Sequence, residues 1–90
     1  VKTIHAIVEG RVQGVCFRDY TKNQAHQLRL NGWVRNKRDG TVETVFTGTE
    51  KDVQAMLEWL KQGSPSSRVD AIHARQIEAE EQLPVFEVRY

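Results

Sequence analysis

Apolar and polar residues alternate at the start of this 90-residue chain, with Ile4, Ala6 and Val8 on one side of the pattern. That period of two predicts a strand from about Thr3 to Glu9. From about Arg18 to Leu30 the spacing becomes helical. Thr21, Ala25 and Leu28 share one face, and Asn31-Gly32 reads as a left-handed C-terminal stop. Trp33-Val34-Arg35-Asn36 predicts a second strand, Lys37-Arg38-Asp39-Gly40 a turn, and Thr41 to Thr47 an alternating third strand. The second helix has the sharpest boundaries. Thr49 is placed to cap it, and Asp52 three residues on makes a variant of the capping box. Val53, Met56, Leu57 and Leu60 recur at i, i+3, i+4 and i+7 as one apolar stripe. Gly63-Ser64-Pro65 ends that helix. A strand from about Arg68 to Ile77, a polar loop and a closing strand from Val85 to Tyr90 follow, with Phe86, Val88 and Tyr90 alternating to one face.

This order, βαββαβ with a further strand, predicts an α+β fold of the split-βαβ, ferredoxin-like kind. Two helices lie on one face of an antiparallel sheet, and the C-terminal strand takes an edge. Ninety residues suit one domain, 1–90, with a single core, and no repeat or linker interrupts them. Function stays open at this level, because the architecture hosts enzymes, RNA binders and regulatory modules alike.

Charge and composition narrow the field. Thirteen Lys+Arg against twelve Asp+Glu leave no global basic field of the kind a nucleic-acid binder uses. RNA-recognition domains of the same element order stack bases on central-strand aromatics, and here Thr41 to Thr47 offers only Phe46. No apolar run approaches a membrane span, and no charged-then-apolar leader opens the sequence. A single cysteine excludes an internal disulfide. The expectation is a soluble monomer in a reducing, cytoplasmic setting, with no membrane or nucleic-acid partner.

The chemistry concentrates in Gly10–Arg18, GRVQGVCFR, between the first strand and the first helix. Free N–H groups at a helix N-terminus and the helix dipole both favour an anion there. Glycines permit positive φ, so that consecutive N–H groups can form a nest, and Arg18 adds a planar fork matched to phosphate oxygens. Two glycines in a short loop also serve as plain turn residues, and GxxxxGK[ST] and GxGxxG are both absent, so a nucleotide is not supported. Cys16 invites comparison with cysteine phosphatases. Their loop has the thiol at its start and the arginine at its end, whereas only Phe17 separates the two here; Cys16 is expected to be a small loop residue. His5, His26 and His73 fall in three elements without metal-ligand spacing, so no metal and no cofactor are expected. Arg35, Lys37 and Arg38 read as a solvated turn or as a steering cluster for anions. On these residues alone the loop fits an enzyme or a regulatory module that binds a small anion unchanged.

Two segments together resemble the acylphosphatase family. Its GxVQGVxFR loop is matched by Gly10-Arg11-Val12-Gln13-Gly14-Val15-Cys16-Phe17-Arg18. Its GWVRN motif, followed by a turn and DGTVE, is matched by Gly32-Trp33-Val34-Arg35-Asn36 and Asp39-Gly40-Thr41-Val42-Glu43. Phe86-Glu87-Val88-Arg89-Tyr90 is similar to the family's terminal strand. The resemblance implies cofactor-free hydrolysis of acyl phosphates to a carboxylate and inorganic phosphate. It also implies a phosphate-binding Arg18, a water-positioning Asn36, and a cradle of backbone amides at Gln13, Gly14, Val15, Cys16, Phe17 and Arg18. Without the resemblance, Asn36 would read as a strand-end residue satisfying its turn.

Overall fold

The computed structural model describes residues 1–78 and 82–90. Its elements are β1 (Lys2–Arg11), α1 (Phe17–Gln27), β2 (Asn31–Asn36), β3 (Val42–Gly48), α2 (Glu50–Gln62), β4 (Arg68–Ile77) and β5 (Glu87–Arg89). The strands form one sheet in the order β4-β1-β3-β2-β5. Part of the polar loop expected after Ile77, residues 79–81, lies outside the described residues.

Strand periodicity decides which face is covered. Ile4, Ala6 and Val8 on β1 are buried, as are Val34 on β2 and Val42 and Phe46 on β3. They meet Phe17 and Ala25 of α1 and Val53, Met56 and Leu60 of α2 in one core. Leu57, expected in the α2 stripe, packs at its margin and is half-buried. Thr49 caps α2 as its spacing predicts. Its hydroxyl accepts from the Asp52 N–H at 3.2 Å and donates to the Asp52 carboxylate at 2.9 Å, so the acidic side chain answers the cap itself.

Two expectations change. The stop of α1 is not Asn31-Gly32. The helix ends at Gln27, and Arg29 takes the left-handed conformation with φ 57°. Leu30 N–H donates to the Ala25 carbonyl and Arg29 N–H to the His26 carbonyl, at 2.9 and 3.1 Å. This is a Schellman ending with arginine where glycine is usual. Gly32 is needed for a different reason: it sits inside β2 at φ 144°, where a Cβ would lie 1.9 Å from the Val45 carbonyl oxygen.

The second change concerns the edge strand. β1, β3 and β4 pair antiparallel, as do β2 and β3, but β5 runs parallel to β2, with Trp33 beside Glu87 and Arg35 beside Arg89. The register explains it. Ile77 at the end of β4 neighbours Thr3, Thr3 neighbours Thr47, and Thr47 neighbours Asn31 at the start of β2. A strand entering from that end beside β2 must run with it. Val85 makes only an isolated antiparallel bridge with Asn31, and the parallel pairing begins at Glu87, so β5 is shorter than the expected Val85–Tyr90.

The uncovered face carries charge in pairs. Glu43 on β3 lies between His5 on β1 (2.8 Å) and Arg35 on β2. Burial pushes the Glu43 carboxyl upward, but hydrogen bonds from His5 and Arg35, and their charges, pull it below its ordinary 4.5. A folded value below the unfolded one means that this contribution is fully present above pH 4.5 and is lost as pH falls through the folded value. Melting temperatures of the native chain and Glu43→Gln should therefore differ near neutral pH and converge in acid. A difference that stayed constant with pH would show that the contribution is not ionic.

Candidate active site

The site grows out of the end of β1. A register shift between Glu9 and Gly10 marks a bulge against β4. Gly10 has φ 134°, and a Cβ there would lie 2.1 Å from the Arg68 carbonyl oxygen, so only glycine lets the two strands close at this point. Pairing continues to Arg11 and Arg68, which lengthens β1 beyond the expected Glu9. The connection to α1 is thus only Val12 to Cys16. Val12 is buried and anchors it to the core.

Cys16 is the N-cap of α1 in the left-handed region (φ 59°, ψ 22°), with no side-chain cap on the helix. A left-handed residue directly before a right-handed helix turns successive N–H groups to one side, the arrangement of an anion nest. Phe17 then plugs the core and packs on Trp59, with ring centroids 5.8 Å apart. With Phe17 fixed inward, Arg18 next along the helix is left partly exposed at the pocket.

Arg18 donates from Nη1 to the Arg89 carbonyl at 3.3 Å, and its guanidinium lies 4.7 Å from the centre of the Tyr90 ring. Arg35, Arg68 and Arg89 each pair with a carboxylate. Arg18 has no such partner among the described residues, so most of its five donors remain available. Asn36 reaches the same place from β2. Period two puts it on the covered face with Val34, at the strand's end. Its Oδ1 is buried and accepts no hydrogen bond among the described residues. Tyr90 arrives because β5 runs parallel to β2, which brings the end of β5 beside the end of β2.

These residues surround a pocket of about 290 Å³ lined by Val12, Gly14, Cys16, Phe17, Arg18, Asp19, Asn36 and Tyr90. Of the residues expected from the sequence, Gly14, Cys16, Phe17, Arg18 and Asn36 line it. The side chains of Gln13 and Val15 are not in its wall, the first turning to the β2–β3 hairpin and the second packing against the core, whereas the expectation for both concerned their backbone amides. Val12, Asp19 and Tyr90 were not anticipated. Arg35, considered for steering, is on the opposite face, bound to Glu43 and 5.7 Å from the Trp33 ring. Each histidine has its own partner: His5 with Glu43, His73 with Glu9, and His26 with the Phe86 carbonyl. Among the described residues no three potential metal ligands come together. No helix there is long and apolar enough to cross a membrane. Phe46 is fully buried and presents no ring to a base.

Fold and pocket together define a ferredoxin-like α+β protein with a polar pocket at a helix N-terminus. The acylphosphatase family model matches residues 4–88. The chain is 52% identical to the acylphosphatase of Synechococcus sp. over 96% of its length and 90% of that protein. It is 54% identical to acylphosphatase-2 of Meleagris gallopavo over 78% of its length and 69% of that protein. The crystal structure of acylphosphatase from Bacillus subtilis superposes with a TM-score of 0.95 over the whole of both chains, at 38% identity. The chain belongs to the acylphosphatase family. It is an enzyme, and its reaction is the hydrolysis of acyl phosphates.

Proposed function

We propose that the pocket at the start of α1 is where the reaction occurs, with Arg18 and the backbone amides of residues 13–18 holding the phosphoryl group and Asn36 orienting the attacking water. The observation that carries this reading is the meeting of Arg18 and Asn36, from different elements, in one pocket, where among the described residues the first has no carboxylate partner and the second a buried oxygen without a hydrogen bond. Buried orphan acceptors are rare and call for an explanation. Turned about the terminal side-chain bond, this oxygen would meet a water in the pocket.

The chemistry asks little more. An acyl phosphate departs as a carboxylate whose conjugate acid has a pKa of about 4, so the leaving group needs no proton. Phosphoryl transfer depends on in-line alignment and on neutralising the equatorial oxygens. The guanidinium fork and the nest supply the charge. The Asn36 amide accepts one water proton in a hydrogen bond, and rotation about its terminal bond presents Oδ1 to the pocket. As oxygen attacks phosphorus and the P–O bond to the acyl group breaks, the water's proton passes to a phosphate oxygen. Cys16 has no covalent part in this scheme.

The proposal extends to the whole chain as one domain, acting as a cytoplasmic monomer on small acyl phosphates without metal. The outer edge of the sheet supports the monomer, since β4 carries Arg68, Asp70, His73 and Arg75, all exposed. Release of phosphate from benzoyl phosphate by an EDTA-treated sample tests the scheme. Full activity without metal is expected, and Cys16→Ser should retain it. Activity lost on chelation and restored by magnesium, or a phosphothioester trapped on Cys16, would overturn it.

A further inference from the structure

The two halves of the proposed site grow from strands that do not touch, the Arg18 segment from the end of β1 and Asn36 from β2. Val8 near the end of β1 and Asn36 at the end of β2 both pair with Val42 of β3. One strand therefore separates them, and the sheet alone sets them roughly 10 Å apart, two strand spacings. The loop after β1 has to lean across β3 to share a pocket with Asn36, and backbone pairing does not hold it there.

The Gln13 side chain spans the gap. Gln13 Nε2 donates to the Lys37 carbonyl at 2.7 Å and to the Thr41 carbonyl at 2.8 Å. Lys37 directly follows Asn36, and Thr41 directly precedes β3, so both carbonyls lie at the neck of the hairpin. A primary amide has two N–H donors, and each carbonyl takes one. The neck is itself closed by Lys37 N–H to the Thr41 carbonyl at 2.9 Å and by Gly40 N–H to the Lys37 carbonyl at 3.3 Å. The hairpin therefore does not need Gln13 in order to form. What the two extra bonds add is a fixed offset between the loop carrying Arg18 and the residue next to Asn36.

We infer that the Gln13 side chain is a positioning residue, a clasp that sets the distance between the phosphate-holding loop and Asn36. The inference rests on the water-orienting reading of Asn36. Displacement of a reacting group by an ångström can cost up to about 10²-fold in rate, and a loop tethered to the hairpin by a double hydrogen bond resists such a displacement. The Gln13 side chain acts on the reaction only through the hairpin, because both N–H donors of its carboxamide are spent on the Lys37 and Thr41 carbonyls.

The test is a double-mutant cycle of Gln13→Met and Asn36→Ala, read in kcat for benzoyl phosphate and in competitive inhibition by inorganic phosphate. Methionine keeps length and bulk but removes both donors, and the two carbonyls retain their hairpin partners, so the variant should melt close to the native chain. Gln13→Met should lower kcat at least several-fold while phosphate inhibition stays within a few-fold. Adding Asn36→Ala should then cost much less than it does alone, because a misplaced Asn36 has little left to lose. Unchanged kcat in Gln13→Met, or losses that multiply in full, would overturn the clasp. If Asn36→Ala alone left kcat intact, the water-orienting reading would fail instead, so the two failures are distinguishable.

Discussion

Arg18→Ala should leave a folded protein that has lost both its turnover and its sensitivity to inorganic phosphate. The two losses belong together because, among the described residues, the guanidinium is the one side-chain cation in the pocket wall, and both ground state and product are anions. Removing a charged donor aimed at developing charge costs about 10²–10³ in rate. The fold loses less. The stacking on Tyr90 is an exposed cation–π contact worth about 0.5–1 kcal/mol, and the Arg89 carbonyl, at an exposed residue, can turn to water. Arg18→Lys should not restore activity, since an ammonium cannot span two phosphate oxygens as the planar fork does. Near-native phosphate inhibition and kcat in the lysine variant would refute the bidentate role.

Asn36→Ala should separate the two functions that Arg18 joins. Turnover should fall by about 10²-fold, the scale of a lost positioning group, whereas inhibition by inorganic phosphate should remain within a few-fold of native. A contact made only in the transition state lowers kcat and kcat/KM together. Stability adds an independent check. The buried Oδ1 has no partner among the described residues, and such an orphan costs about 1–3 kcal/mol of desolvation. With no hydrogen bond of that oxygen to lose, the alanine variant should melt close to the native chain. Normal kcat in a stable variant would refute the water-orienting role; a large drop in melting temperature would instead identify Asn36 as a turn residue.

The parts of this molecule that could be read from the sequence are those written locally. Thr49 and Asp52 are three residues apart and cap α2 as that spacing requires. Val53, Met56 and Leu60 bury the stripe their period draws. The loop ending in Arg18 and the Asn36 strand end were equally visible, because each motif is contiguous. What could not be read depends on pairing between distant segments. Alternation at Phe86, Val88 and Tyr90 assigns faces but not strand direction, so the parallel docking of β5, and with it the Tyr90 wall of the pocket, left no local mark. The helix stop misled for a related reason. Asn31-Gly32 has the composition of a left-handed cap, but Gly32 is small because the Val45 carbonyl crowds it from β3. Arg29 bears the left-handed turn without any sequence signal. The Gln13 side chain was hidden by its own motif, in which attention falls on the backbone amides.

The contact between Arg18 and the Arg89 carbonyl joins residues 71 apart in the chain. The pocket is therefore complete only when the last strand has docked beside β2. High contact order of this kind slows folding. With the proposed active site in this pocket, enzymatic competence is a certificate of completion: a chain with β1 to β4 assembled but β5 adrift would lack the wall and the carbonyl that steady its arginine.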